Sequence, residues 1–311
     1  MKILNEIPDF ETLKKSVVTI GSFDGVHLGH RELLNKLQNE GMSLNQKTVV
    51  VSFFPNPKEI LDKDNFKGHL TLEKEKISLI KKFKIDVLCL LRFDSKLKSV
   101  SADAFLRQVL KAFNPSLFIV GYNHCFGYKR EGDLNFLKRN QKKYSFKVRE
   151  ILEQKDLKER KISSSAIREL ISSGEIERAN NILGYPYSVT GSVIKGDGLG
   201  RKIGFPTANL DVGNKSKLLP LNGVYLVKVL VKEKIFLGMC NIGFRPTVSL
   251  KRKLYIEINL FDFDENLYGS RIKVHFLIFL RKERKFKDIK TLKRQLRLDK
   301  NKCLEYSINN V

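Results

Sequence analysis

Residues 17–30 read Val17-Val18-Thr19-Ile20-Gly21-Ser22-Phe23-Asp24-Gly25-Val26-His27-Leu28-Gly29-His30, and this stretch decides the fold of the first half of the chain. Four strand formers enter a glycine turn. A helical stretch, Arg31–Glu40, follows with Leu33, Leu34 and Leu37 on one face and Gly41 placed as a stop. Strand, glycine turn and helix are the parts from which an open α/β sheet builds an anion site. The glycines admit phosphate close to backbone, and the helix N-terminus offers unpaired N–H groups and the positive end of its dipole. His27 and His30 lie three apart at that end, so both can face one ligand. Imidazoles there can donate to phosphate oxygens and stabilise charge that grows in a transition state. The chain has only five histidines, so two within this string are hard to read as incidental.

Working outward, Val17–Gly21, Thr48–Phe54, Val87–Phe93 and Ser116–Gly121 are short, nearly continuous apolar runs, the pattern of strands buried on both faces. Helical periodicity lies between them, over Lys74–Phe83 and over Ala102–Phe113 with Ser101 as N-cap. This alternation predicts a doubly wound α/β domain with a parallel sheet. Two short helices, Ser165–Ser172 and Glu175–Leu183, are separated by Gly174 and stopped by Gly184. After them Tyr187–Ile194, Gly223–Val231, Ile235–Gly243, Leu254–Phe263 and Arg271–Leu280 are rich in Val, Ile, Tyr and Phe with no helix intervening. They predict an antiparallel β-barrel or sandwich, closed by a basic helix at about 287–298. The expected domains are residues 1–184 and 185–311.

The 311 residues fit two cores better than one. Four dispersed cysteines form no C-x-x-C pair, so free thiols are expected. No apolar run approaches the ~20 residues of a membrane helix and no secretory h-region opens the chain. A cytoplasmic protein without a membrane partner is therefore expected. The net charge of +24 raises nucleic acid as a partner. Yet the basic residues are spread along the whole chain and no RNA-binding signature accompanies them, so no nucleic acid is expected.

The string G-x-F-D-G-x-H-x-G-H at Gly21–His30 carries the H-x-G-H signature of the nucleotidyltransferase superfamily and resembles bacterial FAD synthetases. Three further segments match that family in order: Phe54-Pro55-Asn56-Pro57, Gly121–Gly127 with Gly132-Asp133, and Ile162-Ser163-Ser164-Ser165-Ala166-Ile167-Arg168. Asn56 and His124 depart from it, standing where His and Phe are common. Ser164 and Ser165 suit a helix N-cap with spare hydroxyls, and Arg168 lies a turn inside. The resemblance implies adenylyl transfer: the phosphate of FMN attacks the α-phosphorus of ATP and pyrophosphate leaves. It implies ATP contacts for Gly21, Phe23, His27, His30, Asn123, Ser164 and Arg168, with His27, His30 and Arg168 catalytic. Asp24 is expected only to stabilise the turn.

In the second half, Gly196–Asn209 is a glycine-rich loop with Arg201 and Lys202, a composition suited to phosphate. No Walker A string occurs. Thr207 and Asn209, two apart in extended chain, point the same way and offer oxygen ligands of the kind magnesium prefers. The string G-R-x-I-G-F-P-T-A-N at Gly200–Asn209 resembles riboflavin kinases, as do Asn241–Thr247, Glu257–Gly269 and Leu280–Phe286. The resemblance implies ATP as co-substrate, Gly200, Thr207 and Asn209 at ATP, Thr207 and Asn209 at Mg2+, and Glu257 as the base that deprotonates the ribityl 5′-hydroxyl of riboflavin. For Arg281 a place near the flavin and a plain surface role stand equal. The whole chain thus resembles bifunctional riboflavin kinase/FAD synthetases, with riboflavin, FMN and ATP as partners. Two alternatives remain at this point: a kinase with an inactive adenylyltransferase half, and a basic RNA-binding protein on a nucleotidyltransferase-like fold.

Overall fold

In the computed structural model, which describes residues 1–152, 161–196, 198–245 and 253–310, the four apolar runs of the first half become the centre of a six-stranded parallel sheet. The elements are β1 (Lys2–Leu4), β2 (Ser16–Ile20), α1 (Leu28–Ser43), β3 (Lys47–Phe54), α2 (Pro57–Leu61), α3 (Glu73–Lys81), β4 (Val87–Arg92), α4 (Ser95–Lys98), α5 (Ala102–Phe113), β5 (Pro115–Gly121), α6 (Leu134–Tyr144) and β6 (Lys147–Ile151). The strand order is β1-β4-β3-β2-β5-β6, and every pairing is parallel. The chain winds from β2 toward β3 and β4 on one side, then returns to β5 and β6 on the other. The carboxyl ends of β2 and β5 therefore flank the switch point at which doubly wound sheets take ligands.

Both faces of the sheet are covered. Val18, Ile20, Val49 and Val51 pack with Phe105, Leu106, Val109 and Phe113 of α5. Val17, Val50 and Leu88, one residue out of phase, pack with Leu34 and Leu37 of α1 and Ile80 of α3. Successive side chains of a strand point to opposite faces, so burial on both sides demands unbroken apolar runs. The outer strands β1 and β6 lacked that signal. They are short, carry lysine, arginine and glutamate, and lie at the edges. Helix α6 was missed because only Leu137 is fully buried in a sequence otherwise rich in Lys, Asn and Gln. Ser101 caps α5 as expected, accepting from Ala104 N–H at 3.3 Å. Gly41 does not end α1, which runs on to Ser43. A Cβ there would lie 2.4 Å from Thr48 Cγ2, so this glycine serves close packing of α1 on β3.

The chain divides into two units, Met1–Ala166 and Ile167–Val311, upstream of the expected boundary at 184. Helix α7 (Ser164–Ser173) straddles the limit and α8 (Ile176–Leu183) lies wholly within the second unit. There Asn180 donates to Phe276 O at 2.9 Å and accepts from Tyr187 N–H at 2.7 Å. The glycine at 184 is the left-handed C-cap of α8, φ 74°, and so a turn inside the unit.

The second unit contains β7 (Ser188–Ile194), α9 (Leu199–Lys202), β8 (Ala208–Asp211), β9 (Gly223–Val231), β10 (Lys234–Arg245), β11 (Lys253–Leu260), β12 (Arg271–Arg281) and α10 (Ile289–Asn310). The six strands close into an antiparallel barrel in the order β10-β11-β8-β7-β12-β9. Strand β8 was not anticipated; four residues, A-N-L-D, carry little strand signal. Helix α10 is longer than its amphipathic segment predicted. Leu296, Cys303 and Leu304 pack with Leu226, Met239 and Phe261.

Candidate active sites

The turn from β2 into α1 is held in an uncommon backbone shape. Phe23 (φ 46°) and Val26 (φ 36°) are left-handed, as is Gly25 (φ 83°). For a β-branched valine this is a true outlier, which persists only where the surroundings over-determine it. Asp24 supplies much of that determination. Its buried carboxylate accepts from Thr71 N–H (2.9 Å), the Thr71 hydroxyl (3.1 Å), Leu70 N–H (3.3 Å) and Asn56 Nδ2 (3.2 Å). Thr71 Oγ1 in turn accepts from Gly25 N–H at 3.1 Å. The turn-stabilising role expected of Asp24 is what its geometry provides.

The turn delivers the histidine pair. His27 is the N-cap of α1, and its Nδ1 accepts from His30 N–H at 3.4 Å. The two rings stack, with centroids 3.7 Å apart and planes 17° from parallel. Burial, then the neighbouring His27 and then the Lys76 ammonium hold His30 well below the usual imidazole range. At neutral pH its ring is an uncharged donor–acceptor, and its Nδ1 has no hydrogen-bond partner among the described residues.

Both departures from the expected motif take up the geometry of this region. Asn56 caps α2 by accepting from Lys58 N–H at 3.0 Å while its amide donates to Asp24. His124 is buried, its Nδ1 donating to Ile20 O at 3.0 Å, with its ring tilted against Phe126. Burial, only partly offset by the Ile20 carbonyl, pushes its pKa down to about 4. His124 thus fills an aromatic slot as a neutral ring. An unfolded histidine titrates near 6.5, so between about pH 6.5 and 4 the unfolded chain binds a proton that the folded chain refuses. Stability is whole above that window and falls as pH drops through it. His124→Phe is expected to remove this dependence. The variant should gain about 2 kcal/mol over the parent on going from pH 7.5 to pH 5, read by urea unfolding at both values. Equal slopes in the two proteins would refute the buried neutral ring.

Two more expected ATP residues, Asn123 and Ser164, belong to the same unit, and a third, Arg168, lies in the second. Asn123 follows β5 and is exposed. The α7 cap is Ser163, which accepts from Ala166 N–H at 3.2 Å; the expected caps, Ser164 and Ser165, do other work. Ser164 donates to Asp24 O at 2.8 Å, joining the start of α7 to the β2–α1 turn. Ser165 Oγ accepts from Lys58 Nζ at 3.0 Å. Arg168 is buried, one turn further along α7. The sequence reading missed Lys76, which is buried against the same turn and donates to Ser22 O and Phe53 O, each at 2.7 Å. Its signal was a lysine four residues before Ile80, on the core-facing side of a helix.

In the barrel unit, register sets the second site. Glu257 on β11 lies directly opposite Asn209 on β8 and opposite Asn241 on β10. Directly opposed residues of antiparallel strands share a face, so Asn241, Glu257 and Asn209 form a row. Ile256 and Ile258 point the other way and are buried. The loop entering β8 is close-packed around backbone: a Cβ at Gly196 would lie 2.0 Å from Asn209 Nδ2, and one at Gly200 2.3 Å from Phe205 O and 3.1 Å from Thr207 Oγ1. At Gly200 backbone leaves space for glycine alone, and at Gly196 a side chain would displace that of Asn209. Asn259, which strand alternation puts on the polar face with Glu257 but to which the sequence gives no role, is buried and donates to Pro206 O at 2.7 Å, which fixes the Pro206–Asn209 turn onto β11. Tyr255, two residues before Glu257 on the same face, donates to Glu283 at 2.8 Å; burial and that carboxylate push its pKa up to about 12. Asp197, Pro246 and Thr247 lie outside the described residues.

Arg281 takes an anchoring position. Its guanidinium grips the buried Asp299 of α10 through Nε (3.0 and 3.1 Å) and Nη2 (2.7 Å), while Nη1 donates to Lys282 O at 3.1 Å. Gln295 completes the arrangement by donating to Asp299 at 2.7 Å. Most of its donors are thereby engaged within the chain, an anchoring role that neither the flavin reading nor the plain surface reading anticipated.

Comparison with known proteins follows the same division. Residues 9–166 match the FAD synthetase family model and residues 183–307 the riboflavin kinase model. Bifunctional riboflavin kinase/FMN adenylyltransferases from Buchnera aphidicola (Schizaphis graminum) and Bacillus subtilis are 39% and 36% identical. The first match covers 96% of each chain, the second 96% of this chain and 95% of the relative. The Escherichia coli K12 enzyme of the same description is 36% identical over 93% of this chain and 92% of its own. A crystal structure from Streptococcus pneumoniae described as a macrolide-efflux protein superposes with a TM-score of 0.86 at 30% identity, covering 96% of this chain and 97% of that one. Among the described residues no helix is long and apolar enough to cross a membrane. With both domain families matched in order and relatives aligned nearly end to end, the chain belongs to the bifunctional riboflavin kinase/FMN adenylyltransferase family.

Proposed function

We propose that the barrel unit transfers the γ-phosphoryl group of ATP to the ribityl 5′-hydroxyl of riboflavin. The α/β unit then transfers the adenylyl group of a second ATP to the resulting FMN. The observation that carries this reading is the placement of Glu257 directly opposite Asn209 on one face of the barrel: a carboxylate beside an amide oxygen donor, next to a glycine loop. Glu257 accepts the 5′-hydroxyl proton as the oxygen attacks the γ-phosphorus, and the bond to ADP breaks. Thr207 and Asn209 offer hydroxyl and amide oxygens, hard donors suited to Mg2+ shared with phosphate oxygens. Close packing at Gly196 and Gly200 brings the loop backbone up against Asn209, Phe205 and Thr207, which holds the two oxygen-bearing side chains beside a glycine loop. Bound there with ATP, the metal would offset the charge of the phosphates.

In the α/β unit FMN brings its own anionic nucleophile, so no base is needed. An FMN phosphate oxygen attacks the α-phosphorus and pyrophosphate leaves. Gly21, Phe23, His27 and His30 receive the phosphates at the β2–α1 turn. Asn123, Ser164 and Arg168 complete the ATP set, with Ser164 tied to the turn through Asp24 O. The domains are taken as 1–184 for adenylyl transfer and 185–311 for the kinase, with α8 built onto the barrel. A reducing cytoplasm suits the four free cysteines. The purified chain with riboflavin and Mg-ATP should yield FMN with ADP, then FAD with pyrophosphate, resolved by chromatography. Formation of neither flavin would overturn the reading. FMN without FAD, with added FMN also left unconverted, would confine the chain to the kinase.

A further inference from the structure

We propose that Lys76 is a positioning residue for adenylyl transfer, holding the β2–α1 turn in its phosphate-receiving shape through the carbonyl of Ser22. The inference rests on the placement of ATP at that turn proposed above. Lys76 lies in the first turns of α3 with 1% of its surface exposed. A lysine so deeply buried is rare, because its charge is costly to desolvate unless hydrogen-bonded. Here the ammonium is drawn between the ends of two neighbouring strands, bonding Phe53 O near the end of β3 and Ser22 O just after β2, both at 2.7 Å. Ser52 Oγ also reaches Ser22 O, at 3.2 Å.

The Ser22 carbonyl has a mechanical consequence. A trans peptide is planar, with its C=O and N–H pointing opposite ways. Drawing Ser22 O onto the buried ammonium therefore aims the N–H of Phe23 away from it. Phe23 is the first of the left-handed residues in the turn (φ 46°), and its ring lies against His30, with centroids 5.1 Å apart. From the ammonium, the order of connection runs through the Ser22–Phe23 peptide to the Phe23 ring and then to the stacked histidines. The Asp24 carboxylate fixes the far side of the turn, and the Lys76 ammonium fixes the near side. The ammonium also sets a buried positive charge close enough to lower the proton affinity of His30, keeping that ring neutral beside an anionic ligand.

The test uses the full chain with Lys76→Met, and Lys76→Gln as a second variant that keeps one donor. Four quantities are read in each: FMN adenylylation kinetics, ATP affinity and adenosine affinity by calorimetry, and riboflavin kinase rate as an internal control. A turn displaced by an ångström costs about 100-fold in kcat/KM for ATP in adenylylation. We expect that loss together with weakened ATP binding, while adenosine affinity and the kinase rate stay unchanged. A residue that served folding alone would lower the unfolding midpoint and leave ATP affinity and kcat of the folded protein at parental values, and that outcome overturns the proposal. So does failure of both variants to fold, which would assign Lys76 to stability. His30→Ala, run alongside, separates the two claims: if it leaves adenylylation intact, ATP does not bind at this turn, whatever Lys76 does.

Discussion

Glu257→Gln is expected to lower the rate of FMN formation from riboflavin by about 10²- to 10⁴-fold, the usual contribution of a positioned general base. The same protein should convert supplied FMN to FAD at the parental rate. Glutamine keeps the shape of the side chain and its place in the row between Asn209 and Asn241. The substitution therefore removes a proton acceptor while leaving the β8–β11 and β10–β11 pairings in place. Loss of the base should fall on kcat, because the proton moves only as the phosphorus–oxygen bond forms; KM for ATP should change little. Initial rates of ADP release with riboflavin, and of pyrophosphate release with FMN, give both activities from one preparation. A proportional fall in both would mean the substitution had damaged the chain as a whole. A kinase rate above a tenth of parental would remove Glu257 from the chemistry.

What could be read in the sequence, and what could not, follows from where each residue lies. Strands buried on both faces must be continuously apolar, so β2 to β5 were plain. The edge strands β1 and β6 and the four-residue β8 bury little and left no pattern. The glycine at 184 was legible as the stop of α8, but a domain boundary placed there misses Asn180 bonding Phe276, a contact 96 residues distant in sequence that no local pattern encodes. Candidate side chains were legible where chemistry requires a residue type at fixed spacing, as in His27–His30 and Thr207–Asn209. The pairing of Glu257 with Asn209 depends on strand register, which alternation alone leaves open. Lys76 and Asn259 act on backbone carbonyls brought in from elsewhere. A lysine on a helix and an asparagine on a strand normally signify solvent, and only burial shows otherwise. The same holds for Arg281, whose partner Asp299 lies on a helix packed against the barrel.

His30→Ala should lower FMN adenylylation by about 10²- to 10³-fold, the range for removing one preorganised donor from a site of developing charge, and leave the kinase untouched. The geometry predicts more than the single loss. His27 accepts the His30 N–H through Nδ1, which in a neutral ring leaves the proton on Nε2 as the donor for a ligand. Its ring is held flat against that of His30. Removing the His30 ring deletes one donor and also takes away the stacked surface against which the His27 ring is held. The two histidines should therefore behave as a unit. His27→Ala in the His30→Ala background should cost far less than His27→Ala alone, so the double variant falls well short of the product of the single losses. A double-mutant cycle on kcat/KM for ATP, taken at pH 7.5 where burial keeps His30 neutral, measures the coupling. Strict multiplication of the two losses would mean that each ring contacts the phosphates independently and that the stack between them does no catalytic positioning.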